Sequence, residues 1–427
     1  MTSSGPGASV ALVRRLGTGD AVLIGLGSMI GAGVFAAFAP AAAAAGSGLL
    51  IGLAIAAAIA YCNAVASAQL AAQYPTSGGT YVYGRERLGE WWGFLAGWGF
   101  VIGKTASCAA MAITFAAYAV PEPLVAQRLV AVAGVVALTA VNYRGISRTA
   151  RLTRVLVAAS LTALLVVVVV IATSGRASPG NLGRGGIGSD GVYGVLQAAG
   201  LLFFAFAGYA RIATLGEEVR EPERTIPRAI PLALAITVAI YLAVGASALL
   251  AAGPARLAAT SQPLAAAVEA VGAAWALPVV RIGAVVASLG ALLALIAGIG
   301  RTALAMARNG DLPRWLAAVH PRHRVPDHAE LTLAVVVVGL VLITDLRGAI
   351  GFSSFGVLTY YAIANASAFS QDAHHRRWPR ALNVVGLVGC VVLVATLPIE
   401  SVLAGMLMFA VGLAGRWLAR TRRRRVA

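Results

Sequence analysis

Two glycine-containing stretches inside apolar segments carry the backbone groups most able to do chemistry in this sequence. The first, GSMIGAGVF, covers residues 27–35 and has three glycines within seven residues. The second, FFAFAGYAR, covers residues 203–211 and includes Gly208. Glycine weakens a helix by about 1 kcal/mol relative to alanine, so each stretch is expected to unwind in the middle of its segment. Close helix–helix packing is the alternative interpretation of the first stretch taken alone.

A helix that breaks at membrane depth exposes backbone groups with opposite preferences for charge. The N-terminal end of a half-helix presents free N–H groups, which suit a carboxylate. The C-terminal end presents free carbonyl groups, which suit an ammonium group or a metal cation. Two breaks that meet would satisfy both ends of a small zwitterion, of which an α-amino acid is the simplest. The pattern therefore predicts a binding site built from the backbone.

Lys104 is the most informative single side chain. It is the only lysine in the sequence and lies in the middle of an apolar segment, GFVIGKTASCAAMA. A cation at the centre of a membrane helix costs about 2.5–3.5 kcal/mol, so Lys104 should face the interior of a helix bundle. A buried lysine loses its proton readily. Three roles follow: a proton carrier, a fixed cation that replaces sodium, or a structural donor to the carbonyl groups of the broken helices, those of the first break in particular.

The composition places these residues in a membrane protein. The chain of 427 residues is 59% hydrophobic and 11% charged, and its mean hydropathy is +0.84. These values indicate an all-α polytopic membrane protein. The net charge of +17 comes from arginines at the ends of apolar runs, which indicates membrane topology rather than a nucleic-acid partner. The three cysteines are too scattered for a disulfide framework or a metal cluster.

Apolar segments of suitable length predict twelve membrane spans. They are 18–44, 47–73, 90–119, 125–142, 152–173, 191–215, 227–252, 277–306, 329–345, 348–369, 381–397 and 399–419. With the N-terminus in the cytoplasm, arginines at inner ends outnumber those at outer ends by about four to one. This bias predicts that both termini are cytoplasmic.

The spans fall into two halves that each open with a broken segment. Five spans lie within 18–175 and five within 191–370. Because five is odd, the second half enters the membrane from the opposite side, as in an inverted repeat. The other predicted parts are a cytoplasmic arm at 1–17, an extracytoplasmic loop at 176–190, two additional helices at 371–420 and a basic cytoplasmic tail at 421–427.

Five motifs in this sequence resemble those of the amino acid–polyamine–organocation (APC) permeases. They are GSMIGAGVFAAFAPAAAAAG, YPTSGGTYVYGRERLGEWWGFLAGW, FAFAGYARIATLGEEVREPERTIPRAIP, RTALAMARNGDLP and SSFGVLTYYAIANASA. They occur in family order over about residues 18–370. The resemblance implies a plasma-membrane permease that works by alternating access. It also implies the leucine-transporter type of 5+5 inverted repeat, with discontinuous helices 1 and 6.

The resemblance also implies which groups bind the substrate. Backbone amides of the first break would take the substrate carboxylate: Ser28, Met29, Ile30, Gly31, Ala32 and Gly33. Residues of the second break would take the amine: Phe203, Phe204, Ala205, Phe206 and Gly208. The ring of Phe204 would form a lid over the site.

Coupling residues are expected where the sequence departs from its relatives. Proton-coupled relatives often carry a lysine in span five, where this sequence has Ser160. The hypothesis is that Lys104 takes over that role. Ser160 and Ser288 offer oxygen ligands for the alternative coupling ion, sodium. The candidates for an inner gate are Arg211, Glu217 and Glu218.

The sequence thus predicts a secondary active amino acid permease with proton-coupled uptake and no cofactor. No nucleotide-binding loop and no motif of an enzyme occurs in it. The alternatives are a sodium-coupled or exchange-type transporter of amino acids or amines, and a non-transporting amino acid sensor. Some relatives have an acid just after the second break, where this chain has Ala210 and Arg211, which argues against cationic substrates. The expected partners are a small-molecule substrate and the lipid bilayer, and the oligomeric state stays open.

Overall fold

The computed structural model describes residues 16–76, 78–144, 150–183, 190–216 and 218–426. This part of the chain is helical throughout and contains no β-strand. One backbone bridge joins Leu16 to Val219, so the start of the described chain pairs with the loop that follows the second break.

Nine α-helices lie in the described residues before Gly191. They are α1 (Thr18–Met29), α2 (Ala32–Ala36), α3 (Phe38–Ala45), α4 (Leu49–Gln73), α5 (Thr80–Leu88), α6 (Glu90–Ala119), α7 (Leu124–Tyr143), α8 (Ala150–Thr173) and α9 (Gly180–Gly183) within the described ranges. Lys104 lies in the middle of α6, the longest of these helices.

Nine more α-helices follow, among the residues that the structure covers. They are α10 (Gly191–Phe206), α11 (Ala210–Ala213), α12 (Pro222–Ala258), α13 (Pro263–Ala270), α14 (Leu277–Arg308), α15 (Asp327–Ile343), α16 (Leu346–Phe369), α17 (Arg380–Thr396) and α18 (Ile399–Val426). The second break separates α10 from α11.

Eight helical segments in the described residues are long and apolar enough to cross a membrane. They are Thr18–Ala36, Leu49–Gln73, Glu90–Ala119, Leu124–Tyr143, Leu152–Thr173, Pro222–Ala258, Ala274–Arg308 and Ile399–Thr421. The apolar helices α10 and α17 are shorter. Every span predicted from the sequence contains at least one helix, and the protein is a polytopic helical membrane protein.

Several elements differ from the sequence prediction. Helices α5 and α13 were not predicted, because each lies outside the long apolar segments. Helix α12 begins at Pro222, before the predicted start at 227, because proline is favoured in the first turn of a helix. Helix α18 continues to Val426, so the predicted boundary between additional helices and tail at residue 420 is not a helix end.

Small residues bring α6 and α16 close together near the middle of both helices. A Cβ atom added at Gly356 of α16 would lie 2.6 Å from the Gly99 carbonyl oxygen and 2.8 Å from the Gly103 Cα of α6. Helix packing in membranes favours such small residues because backbones can approach closely. The crossing places Lys104, next to Gly103, on a helix that packs directly against the helix of Tyr361.

A buried ion cluster holds α18 against the bundle. The side chains of Arg416 and Asp311 are 1% and 3% exposed, and their nitrogen and oxygen atoms are 2.8 Å apart. Asp311 also receives a hydrogen bond from Tyr81 at 2.8 Å and pairs with Arg85 at 3.5 Å. Burying a charge is costly unless it is paired, and this carboxylate is paired on both of its oxygens.

Candidate functional site

The first break lies between α1 and α2, inside the stretch that the sequence predicted to unwind. Helix α1 ends at Met29, and α2 begins at Ala32. Between them, Gly31 has φ −119° and ψ −146°, which is outside the helical region, and its N–H donates to the Met29 carbonyl at 2.8 Å. The first N–H groups of a helix have no partner within that helix. The break therefore sets free N–H groups at the start of α2.

The second break lies between α10 and α11. Helix α10 ends at Phe206, and α11 begins at Ala210 after a turn that contains Gly208. The last carbonyl groups of a helix lack intrahelical donors. Here the carbonyl groups of Ala205 and Ala207 accept hydrogen bonds from side chains of other helices. The second break therefore presents carbonyl acceptors, and side chains of α6 and α12 supply the donors.

The two breaks are in direct contact. A Cβ atom added at Gly208 would lie 2.2 Å from the Ser28 carbonyl oxygen and 2.6 Å from the Met29 nitrogen. A Cβ atom added at Gly33 would lie 2.6 Å from the Cα atom of Ala205. Cβ atoms do not approach backbone atoms so closely, so glycine is needed at both positions. The sequence predicted the breaks, and the structure adds that their backbones touch.

Tyr241 of α12 connects the two breaks. Its hydroxyl oxygen lies 2.6 Å from the Met29 carbonyl oxygen and 3.1 Å from that of Ala205. The Tyr241 ring lies 5.1 Å from that of Phe206, centroid to centroid. One buried side chain thus contacts the C-terminal end of both α1 and α10.

Lys104 reaches the second break. Its side chain is buried, with 7% of the residue exposed, and its Nζ donates to the Ala207 carbonyl at 3.1 Å. The hydroxyl of Tyr361 donates to the same carbonyl at 3.3 Å. In the described part of the chain, no acidic side chain pairs with Lys104. The expectation that Lys104 meets carbonyls of the first break is therefore corrected: the carbonyl it meets belongs to the second.

Aromatic rings surround the second break. The ring of Tyr361 stacks on that of Tyr209 at 5.0 Å and meets the ring of Phe203 edge-on at 5.7 Å. Phe203 and Phe206 are fully buried, while Phe204 is 7% exposed. The ring of Phe204 packs in the main hydrophobic core. Its role as a lid stays a prediction.

The two serines considered as ion ligands have different environments. Ser160 of α8 is buried and donates to the Leu156 carbonyl of its own helix at 2.9 Å. Ser288 of α14 is fully buried, and its hydroxyl has no hydrogen-bond partner among the described residues. Helix α14 also contacts the first break, since a Cβ atom at Gly31 would lie 2.9 Å from the Ala291 Cβ. Of the two serines, Ser288 has the unused oxygen.

The predicted gate residues follow directly after the second break. Arg211 of α11 donates from its guanidinium group to the Thr214 hydroxyl at 3.3 Å. The backbone of Glu218 accepts a hydrogen bond from the Leu16 N–H at 3.2 Å. Glu217 lies outside the described residues. The gate role of the three predicted residues stays a prediction.

Sequence reasoning did not single out Tyr241, Tyr361 or Glu330. The two tyrosines lie in apolar helices, where an aromatic residue ordinarily indicates packing. Their hydroxyl groups in mid-span were the available signal, because a buried tyrosine hydroxyl usually finds a hydrogen-bond partner. For Glu330 the signal was an acid inside the predicted span 329–345. Ionisable residues within spans are rare and usually functional.

Comparison with known proteins identifies the family of this chain. The pattern of the family described as amino acid permease matches residues 16–414. This chain belongs to the amino acid permease family. The permease is 62% identical over 417 residues to a protein of Mycobacterium tuberculosis described as an uncharacterized transporter, with 97% of this chain and 93% of the relative covered.

More distant relatives have names that state a substrate. The permease is 26% identical to a branched-chain amino acid permease of Bacillus subtilis, which covers 88% of this chain and 85% of the relative. It is 29% identical to the human cationic amino acid transporter 4, over 84% of this chain and 59% of the relative. The resemblance to the APC permeases is thereby confirmed, and the protein is a multi-pass membrane transporter rather than an enzyme.

Proposed function

We propose that this permease is a secondary active transporter that moves amino acids across the plasma membrane by alternating access. The observation that carries the proposal is the contact of Gly208 with the Ser28 and Met29 backbone, which brings two helix breaks face to face. Broken helices that meet at mid-membrane form the sites of transporters built from inverted repeats. The proposed architecture has twelve spans, two inverted halves of five spans and two additional helices, with both termini in the cytoplasm.

The proposed substrate position follows from the charges of the two breaks. Free N–H groups at Ala32 and Gly33, where α2 begins, suit the α-carboxylate, because the positive end of a helix dipole favours an anion. Carbonyl groups of the α10 end, including that of Ala205, suit the α-ammonium group. Phe204 is the proposed lid. The backbone in this arrangement recognises what all α-amino acids share.

Amino acids with uncharged side chains fit the proposed site best. Lys104 brings a cation to the second break, and in the described residues no carboxylate pairs with it. A cationic substrate side chain at this break would meet repulsion from Lys104 without a compensating acid. This proposal places the substrate nearer to that of the branched-chain permease than to that of the cationic transporter.

Lys104 is the proposed carrier of the coupling proton. A protonated lysine makes a charge-assisted hydrogen bond to the Ala207 carbonyl, and such bonds are about twice as strong as neutral ones. Release of the proton weakens that bond and removes the charge from the second break. The break can then change its position relative to α6. Proton transfer would in this way be linked to the movement of α10 and α11 that alternating access requires.

The test uses Lys104→Gln in proteoliposomes, with a substrate chosen from a thermal-shift panel of amino acids. We expect uptake driven by a proton gradient to fall by about tenfold or more, the range of a typical coupling free energy. Exchange of labelled for unlabelled substrate across equilibrated membranes should continue, because exchange needs no gradient. The matched control is Thr105→Val, which removes a hydroxyl that donates to the Val101 carbonyl within α6. Gradient-driven uptake that is unchanged in Lys104→Gln would overturn the role of the lysine.

Sodium coupling is the second candidate. The hydroxyl of Ser288 favours it, because it has no hydrogen-bond partner among the described residues and lies on α14, which contacts the first break. Sodium prefers oxygen ligands, which this hydroxyl and the carbonyl groups of the break can supply. The same proteoliposomes with a sodium gradient and no proton gradient separate the two candidates. Uptake that requires sodium and is lost in Ser288→Ala would favour sodium over the proton.

A further inference from the structure

Glu330 is a buried acid that the proposed substrate site does not use. It lies in the first turn of α15, and 2% of the residue is exposed. Its Oε2 atom has no hydrogen-bond partner in the described part of the chain. Removal of a carboxylate from water is costly without a partner, and the usual response of the group is to become neutral. The environment of Glu330 therefore suits a carboxylic acid better than a carboxylate.

The contrast with Asp311 shows that this environment is unusual within the molecule. Asp311 is also buried, but it pairs with Arg416 at 2.8 Å and with Arg85 at 3.5 Å. Each of its oxygens thus has a cationic partner. Glu330 forms no ion pair within 4.0 Å among the described residues. Ion pairing therefore explains the burial of Asp311 but not the burial of Glu330.

Helix α14 is shaped to receive the Glu330 side chain. A Cβ atom added at Gly300 would lie 3.0 Å from the Glu330 Cγ and 3.6 Å from its Oε1. The glycine leaves room for the acid between the two helices. Asp327, one turn earlier on α15, also has a buried oxygen without a hydrogen-bond partner. Two acids one turn apart on this helix thus each have a buried oxygen without a hydrogen-bond partner in the described residues.

Two charged residues lie near Glu330: Asp327 on its own helix, and Arg301 beside the contact of Gly300 with Glu330. Arg301 follows Gly300 on α14 and is exposed, so it stays in contact with solvent. The helices α6 and α7 and the turn at Arg314–Ala317 also pack on α15, and in the described residues none of their charged side chains forms an ion pair with Glu330.

We propose that Glu330 is a proton-binding site of this permease, distinct from Lys104. The carboxylate takes up one proton to form a neutral carboxylic acid, and it returns the proton to water at the Arg301 side. When Glu330 is ionised, its charge attracts Arg301. When it is protonated, that attraction is lost. The influence of Glu330 on transport rests on the proposed proton-coupled function, whereas proton binding by Glu330 does not.

A proton fits this site better than a metal ion. Among the described residues, no group of three or more histidine, cysteine, aspartate or glutamate side chains could hold a metal. Two acids at successive turns, close to one arginine, offer few ligands to a hard cation, which usually takes six or more oxygens. A proton needs one oxygen.

Proton binding is tested by infrared spectroscopy on the purified full-length protein near neutral pH. Wild type should show the C=O band of a protonated carboxylic acid in an apolar environment, and Glu330→Gln should lack it. Glu400→Gln, which changes an exposed acid on α18, is the matched control and should keep the band. If Glu330→Gln folds poorly, Glu330→Asp replaces it and should shift the band. A band that stays unchanged in the Glu330 variant would overturn the proposal.

The transport role is tested separately with the same variants in proteoliposomes. Glu330→Gln should lower proton-driven uptake by about tenfold or more, as a lost coupling interaction would. Substrate exchange without a gradient should continue near the wild-type rate. Unchanged proton-driven uptake in Glu330→Gln would remove the residue from coupling. The two proposals can also fail separately. If the wild type shows no proton-driven uptake but the infrared band is absent from Glu330→Gln, the proposed coupling ion is wrong and the proton site stands.

Discussion

The two helix breaks resemble each other in sequence but differ in what surrounds them. At the first break, the Met29 carbonyl meets the neutral hydroxyl of Tyr241. At the second, the Ala207 carbonyl meets the cation of Lys104 and the hydroxyl of Tyr361. One break therefore keeps its backbone groups in a neutral setting, and the other has a charged donor. A single charged residue placed at one of two similar breaks is enough to make the pair chemically asymmetric.

The largest effect is expected where the breaks touch. Gly208→Ala would place a methyl group 2.2 Å from the Ser28 carbonyl oxygen, so the backbones of both breaks must move apart. Overpacking of this kind costs about 3 kcal/mol or more against a rigid backbone. We expect a large drop in the thermal unfolding midpoint of the purified protein, together with loss of substrate binding.

Gly31→Ala is the matched control for this contact. Its methyl group would lie 2.9 Å from the Ala291 Cβ, a side-chain atom on α14 rather than the backbone of the other break. A small shift of α14 relieves this contact, at a cost of about 1 kcal/mol. Equal destabilisation by the two substitutions would show that Gly208 is not a special contact point.

A smaller effect is expected from Tyr241→Phe. The substitution removes the donor shared by the carbonyls of Met29 and Ala205 and leaves both without this partner. An unsatisfied buried acceptor costs about 1–3 kcal/mol. Chemical or thermal unfolding measures that loss, and a binding assay should show weakened substrate affinity because both breaks are affected.

Tyr118→Phe separates stability from binding in this comparison. The Tyr118 hydroxyl donates to the Phe35 carbonyl at 2.9 Å, which lies in α2 beyond the first break. Both substitutions should lower stability, but only Tyr241→Phe should weaken substrate binding strongly. If the two variants bind substrate equally, the connection of the breaks through Tyr241 has no role in the site.

The smallest effect is expected from Tyr361→Phe. The Ala207 carbonyl keeps Lys104 as a donor when the tyrosine hydroxyl is removed, so the loss should be about 0.5–1.5 kcal/mol. A double-mutant cycle of Tyr361→Phe with Lys104→Ala measures the interaction of the two donors. We expect the double variant to lose more stability than the sum of the single variants, because only then is the carbonyl left bare. Strict additivity would mean that the two donors act independently.

The breaks were predictable because glycine and helix length act locally. Gly27, Gly31 and Gly33 weaken one segment, and Gly208 weakens the other, wherever the segments pack. The interior position of Lys104 was predictable for a similar reason, since a cation in mid-span has few alternatives. Both inferences depend only on the free-energy cost of placing a given residue type in an apolar helix.

The partners were not predictable, because they depend on how the helices cross. The sequence placed Lys104 near the first break, and the close crossing of α6 with α16 at Gly103 and Gly356 brings it to Ala207 instead. In the sequence, Tyr241 is one aromatic residue in an apolar helix. Its contacts with both breaks arise from the packing of α12 beside them. Pairwise contacts between distant segments have no signal in one sequence.

Tyr241 also determines what the junction can offer to a ligand. A tyrosine hydroxyl carries one proton, so at any moment it satisfies either the Met29 carbonyl or the Ala205 carbonyl, although both oxygens are within reach. The Met29 carbonyl also accepts the Gly31 N–H, so it keeps a donor when the hydroxyl turns to Ala205. A ligand that brings its own N–H to the Ala205 oxygen leaves the hydroxyl free to turn to Met29. The Ala205 carbonyl is therefore the acceptor at this junction that a ligand can fill while both carbonyls keep a donor.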